Sequence, residues 1–171
     1  MQNLHHIVFC ADDGALVDGL EFFISAALKK RNPAIVWATE SHRNDLIRRL
    51  RADGLDIDAA IQRGTYIASD AGETADPERI LRTLRGLREA SCKAGTRQPR
   101  VAVCGERAGR LWAEGKKEAA LQIEQLFNEL AKRLEIDILC VYPLPHEEDR
   151  TTSFNTLCQE HSSFSCRWSG A

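Results

Sequence analysis

An α/β fold, with three layers, a mostly parallel sheet and helices on both of its faces, is what the sequence predicts. Three observations predict it. Short apolar runs alternate with helix-period segments along the chain. The stretch from Arg100 to Pro145 spells out one complete strand–helix–strand unit. A length of 171 residues suits one domain with a sizeable core, expected to occupy residues 1–171.

The unit at 100–145 is the most legible. Arg100 to Cys104 is a valine-rich run of the kind buried on both faces of a sheet, ended by Gly105. Ala120, Ile123, Phe127, Leu130 and Leu134 then recur at spacings of three and four, one stripe of a helix whose other side carries Lys116, Lys117, Gln122, Gln125, Glu129, Lys132 and Arg133. A second apolar run, Ile136 to Tyr142, follows, and Pro143 and Pro145 stop it. A strand joined to a strand by such a helix is expected to be a right-handed parallel crossover.

The remaining elements fall on either side. Leu4 to Cys10 reads as the first strand, and Asp12 or Asp13 can cap a helix running to about Lys30, with Leu16, Leu20, Phe23 and Ala27 facing inward. Asn32-Pro33 breaks the chain before a second buried strand, Ala34 to Thr39. A helix from about Ser41 buries Leu46 and Leu50 and ends at Gly54. Ile57 to Ile61 and Thr65 to Ala68, separated by Gly64, read as two short strands. Asp76-Pro77-Glu78 is a helix start, carried by Ile80, Leu81, Leu84 and Leu87 to about Ala94. From Glu147 the composition turns polar, with a helix to about Glu160 and a short edge strand in the tail.

Composition excludes several classes. With 23 basic and 25 acidic residues the formal charge is -2, so neither nucleic acid nor an anionic membrane is an expected partner. The six cysteines, at 10, 92, 104, 140, 158 and 166, form no CxxC pair, which suggests neither a zinc framework nor a disulfide scaffold. Cys104 and Cys140 read as buried thiols. No apolar run is long enough to span a bilayer and no leader pattern opens the chain, so a soluble, cytoplasmic protein is expected.

Ligands of open parallel sheets bind at the carboxyl ends of the strands. Those ends are Cys10 to Asp13, Thr39-Glu40, Ser69-Asp70, Gly105-Glu106 and Tyr142. After Cys10 the chain reads ADDGALVDGLEFF, with Leu20-Glu21 where a phosphate loop needs lysine and a hydroxyl, and no GxGxxG occurs. Nucleotide hydrolysis is therefore not expected, and neither is a resident cofactor.

Glu106 can present its carboxylate to a cleft as a ligand contact or a base; its alternative is an ion pair with Arg100 or Arg107. Glu124, at the edge of the helix stripe, needs a hydrogen-bond partner. His5 and His6 point to opposite faces of the first strand and do not readily share a metal; His161 is isolated and His42 falls in the first turn of a helix. Trp37 reads as core, whereas Trp112, in a short polar segment, and Tyr142 are candidates to line a pocket. No nucleophile motif such as GxSxG occurs, so no metal set or catalytic constellation is expected.

The block RVAVCGERAGRLWAEGKKEAALQIEQLFNELA followed by LCVYPLP resembles the MEDS family, the sensory domain of methanogen and methylotroph regulators such as DcmR. The matching positions are Arg100, Gly105, Glu106, Leu111, Trp112, Gly115, Glu124, Asn128, Leu139, Cys140 and Tyr142. A histidine opening the first strand, His5 or His6, the segment SDAGET at 69–74 and CQEHS at 158–162 extend it over nearly the whole chain. Arg107 departs from the apolar residue, often Met, that the family carries after Gly-Glu.

The resemblance implies a degenerate RecA/KaiC-like fold without a phosphate loop, serving as a non-catalytic input domain that senses a small organic or hydrocarbon-like compound. The ligand contacts it suggests are His6, Asp12, Asp70, Glu106, Trp112 and Tyr142. Because such domains accompany DNA-binding, anti-sigma or histidine-kinase modules, a signalling partner protein is expected, and self-association is compatible with it. One rival reading is a nucleotide-binding adaptor that does not hydrolyse. Another is a hydrolase using Glu106 as base.

Overall fold

The computed structural model describes residues 4–72, 76–144, 152–161 and 163–167, with side chains at 4–72, 76–144 and 155–161. The strands are β1 (His5–Cys10), β2 (Ala34–Ala38), β3 (Tyr66–Asp70), β4 (Val101–Gly105), β5 (Ile136–Pro143) and β6 (Ser163–Arg167). They form one sheet in the order β3-β2-β4-β5-β1-β6, and every pairing is parallel. The central strands β2 and β4 are uniformly apolar because both of their faces are covered.

One face carries α1 (Asp13–Lys29), α2 (Glu40–Ala52) and α3 (Ile57–Gln62), packed through Leu20, Ile24, Leu46, Leu50 and Ile57 against Val8, Val36 and Cys104. The other carries α4 (Pro77–Lys93), α5 (Arg107–Ala113), α6 (Lys117–Arg133) and α7 (Thr152–Gln159), packed through Leu84, Trp112, Phe127 and Leu157 against Ile7, Val103 and Cys140. Alternation along each strand assigns the faces, so Ile7 and Phe9 go to one core and Val8 and Cys10 to the other.

The helix starts follow local chemistry. Asp12, Thr39, Asp56 and Asp76 each accept a backbone N–H in the first turn of the helix they open. Asp56 explains one of the elements that depart from expectation. Ile57 to Ile61 is helical, because the cap and the adjacent alanines favour a turn of helix that buries Ile57 and Ala60 together. On α1, Val17, Leu20 and Ile24 are buried, while Leu16, Phe23 and Ala27 are only partly covered.

Gly109 sets the position of α5. A Cβ there would lie 2.2 Å from the Val141 carbonyl oxygen and 2.9 Å from the Tyr142 Cα, so only glycine lets α5 press its backbone onto β5. The expected stop at Pro145 and the start of the polar stretch at Glu147 lie outside the described residues, while the helix and edge strand expected beyond them are α7 and β6.

Candidate functional site

A cleft of about 340 Å3 opens at the carboxyl edge of the sheet, among the ends of β1, β2, β4 and β5. Leu16, Ala113, Val141 and Pro143 supply its apolar surface, and Asp13, His42, Glu106 and Arg110 its charged groups. Glu106 is the residue from which α5 starts, yet its carboxylate does not cap that helix. It turns inward, accepting the Thr39 N–H at 2.7 Å and facing His42 Nδ1 at 2.6 Å, and is 2 % exposed. The ring's other nitrogen, Nε2, faces Asp13 at 3.5 Å, and Arg110 approaches Glu106 at 3.9 Å.

His42 thus bridges a buried carboxylate and a surface one. Because Glu106 can only accept when ionised, the Nδ1 facing it carries the proton. Nε2 is left on the cleft side. A larger hollow of about 400 Å3 lies elsewhere, between the ends of α1 and α4 and the start of α3. Its charged residues, Arg31, Asp56 and Arg63, are all exposed, so no buried ionisable group is aimed into it.

A second polar cluster lies within the α6-side core. Glu124 is fully buried, and its Oε1 accepts the Tyr142 hydroxyl at 2.5 Å. Its Oε2 faces the Cys140 thiol at 3.2 Å, His5 Nε2 at 3.1 Å and His161 Nε2 at 3.0 Å. Burial alone would push the Glu124 carboxyl up; the two histidines, His161 foremost, override it and hold the carboxylate well below its usual range. Burial and the neighbouring carboxylate push the Cys140 thiol and the Tyr142 hydroxyl well up, so both stay protonated as donors.

The outer atoms of this cluster are also held. His5 Nδ1 meets Asn128 Oδ1 at 2.7 Å, and Asn128 Nδ2 donates to the Glu160 carbonyl and carboxylate. His161 Nδ1 meets the Leu157 carbonyl at 2.7 Å. The His5 and His161 rings lie 4.2 Å apart.

The family model for the methanogen/methylotroph, DcmR sensory domain matches residues 4–154. The chain belongs to the MEDS family. Membership gives it a sensory, signalling role. No curated protein matches it. Among solved structures it is similar to a KaiC-like protein from the hyperthermophilic archaeon Pyrococcus horikoshii OT3, with a TM-score of 0.54 and 12% identity, over 82% of this chain and 62% of that one. The likeness shows a RecA/KaiC-like fold, and this MEDS domain spans about three fifths of that chain. No helix among the described residues is long and apolar enough to cross a membrane.

The site residues read from the MEDS sequence divide into separate places. Asp12 and Glu106 line the cleft. Tyr142 does not, because the pleat sends Val141 and Pro143 toward the cleft and Tyr142 to the opposite face, where it joins Glu124. Trp112 lies on α5 rather than in a connecting segment; it is 5 % exposed and packs edge-on against Tyr142 at 6.2 Å. Its indole nitrogen has no hydrogen-bond partner among the described residues.

His6, at the amino end of β1, lies on the other face of the sheet from His5, and burial lowers its pKa. Asp70 closes β3 near the sheet edge and accepts the Gly72 N–H at 2.7 Å. Neither lines the cleft. The anticipated arginine partners of Glu106 are engaged elsewhere, Arg100 with Asp137 and Arg107 with the Gly72 carbonyl; Arg107, where the family carries an apolar residue, does not line the cleft. Sequence reasoning passed over His42 and Arg110 as site residues. Extending the strand-end positions by one helical turn would have found both.

Proposed function

We propose that this MEDS domain is a non-catalytic input domain that binds a small, largely apolar organic molecule in the carboxyl-edge cleft. The pairing of buried Glu106 with half-buried His42 carries the reading. It places one oriented polar group, His42 Nε2, beside an otherwise apolar wall of Leu16, Ala113 and Val141, with Arg110 at the rim. That is the composition of a pocket selecting an organic body with a single polar or halogen substituent. Glu106 holds the imidazole by one nitrogen, so ligand contact falls to the other.

The chemistry of the α1 start works against a nucleotide. Asp12 already takes the Ala15 N–H there, and Asp13 adds a second negative charge where a phosphate would need free N–H groups. The receiving partner in this reading is a protein module, a histidine kinase, an anti-sigma factor or a DNA-binding domain. Ligand occupancy changes output only through unequal affinity for two arrangements of the domain.

A thermal-shift panel tests the reading. Small halogenated and hydroxylated hydrocarbons should raise Tm, and the concentration required should rise about tenfold in Arg110→Ala and in Glu106→Gln. ATP and ADP should leave Tm unchanged. A shift confined to nucleotides, or one unaffected by either substitution, would overturn the cleft assignment, and consumption of the bound compound would overturn the non-catalytic part.

A further inference from the structure

The polar cluster under α6 has a feature that hydrogen bonding among neutral members does not explain. Asn128 Nδ2 donates to two Glu160 oxygens, both obligate acceptors, which fixes the amide so that Oδ1 faces His5. His5 Nδ1 therefore carries a proton. His161 Nδ1 faces a backbone carbonyl, so it carries one too. In the neutral form of either ring, Nε2 is then a lone pair, and both lone pairs converge on the carboxylate oxygen of Glu124 at 3.1 and 3.0 Å.

Such acceptors converge in a dry core only with positive charge between them, and protons on both Nε2 atoms would set two imidazoliums against one carboxylate, an unbalanced buried charge that a single metal ion with a thiolate avoids. The alignment of His161 points the same way. Its Nε2 is buried and 3.0 Å from Glu124 Oε2, yet it makes no aligned hydrogen bond, as a nitrogen directed at a point beside the oxygen would.

We propose that His5, Glu124, Cys140 and His161 form a closed binding site for one divalent transition metal of the zinc class. Their donor atoms, two imidazole nitrogens, one carboxylate oxygen and one sulfur, all lie within 4.8 Å of one another. Metal–ligand bonds of about 2.0 to 2.3 Å in a tetrahedron separate donors by about 3.3 to 3.7 Å, so small outward movements suffice. The separations of 3.0 to 3.4 Å involving Glu124 and Cys140 are close to that.

Charge and support agree with this occupant. One carboxylate and one thiolate neutralise a divalent ion, leaving no net charge in the core; binding releases the thiol proton to solvent. The mixed nitrogen, oxygen and sulfur set suits zinc rather than calcium or magnesium, which take oxygen alone. Asn128 and the Leu157 carbonyl orient the two imidazoles from behind, and the Tyr142 hydroxyl occupies Oε1 so that Oε2 is the ligand oxygen. Four protein donors leave no open position, so the site is structural. His161 lies between α7 and β6, and the ion ties that segment to β1, β5 and α6. The site is independent of the cleft.

Cobalt(II) loading of the tag-free full chain tests it. One ion per chain should bind, giving visible tetrahedral bands and a near-ultraviolet thiolate charge-transfer band. At a thousandfold excess over Kd it should raise Tm by about 10 °C. Cys140→Ser should lose the charge-transfer band and His161→Gln should weaken binding at least about a hundredfold, while Cys92→Ser, an exposed cysteine, should match the parent. Zinc should displace the cobalt. Failure of the folded parent to take up cobalt or zinc, or a charge-transfer band that survives Cys140→Ser, would overturn the assignment.

Discussion

The chain places a glutamate beside histidine twice, and the two places behave differently. Glu106 and His42 sit at the sheet edge with the imidazole's second nitrogen turned to an open cleft. Glu124, with His5 and His161, sits fully enclosed, with every outer nitrogen already held. A carboxylate–histidine pair is therefore not in itself a functional signature. What surrounds its free atoms decides whether it can meet a ligand from solution or only complete the interior.

The sharpest way to break the comparison is to remove each carboxylate in turn. Glu124→Ala strands the Tyr142 hydroxyl and two imidazoles in the core and should cost about 3 to 5 kcal/mol in urea unfolding. Glu106→Gln keeps an acceptor for the Thr39 N–H beside an open cleft and should cost only about 1 kcal/mol. Equal losses would mean that the two sites are enclosed alike.

Gly109→Ala tests the wall the two regions share. Val141 lines the cleft and Tyr142 joins Glu124, and α5 rests on both through the glycine. The clash with backbone should destabilise by about 2 to 4 kcal/mol and weaken cleft binding as well. Unchanged stability would show that α5 can lift away freely.

The last effect belongs to neither region. Asp137 pairs with Arg100 at 2.7 Å, near the amino ends of β4 and β5. Burial pushes its carboxyl up, but Arg100 and the Leu4 N–H outweigh that, and its pKa in the fold lies below the ordinary value. A depressed carboxyl contributes stability above the ordinary range, near pH 4, and loses it as pH falls through the folded value. Asp137→Asn should therefore cost about 1 to 2 kcal/mol at pH 7, and the difference from the parent should close below about pH 4. A gap that persists at low pH would mean packing, not charge, is responsible.

The resemblance recognised in sequence rested largely on positions whose purpose only the fold reveals. Glu124, Asn128, Cys140 and Tyr142 belong to one buried cluster with His5 and His161. Sequence spacing could place Glu124 and Asn128 one turn apart on α6, and Cys140 and Tyr142 on one face of β5. It could not bring His161 to them, because that contact closes a span from one end of the chain to the other.

What the sequence determined by itself was local and periodic. The alternation of apolar runs and amphipathic helices implied a parallel sheet covered on both sides, and the capping residues started the helices where expected. The three-to-four spacing on α6 and the apolar strands at 100–104 and 136–142 needed no more than one or two turns of chain to read. Tertiary structure alone decided the strand order and the division of six candidate site residues between cleft, core and edge. It also decided the pairing of Glu106 with His42 rather than with an arginine. Those outcomes depend on which strand lies beside which and on which way each pleat turns, and neither is set by neighbours along the chain.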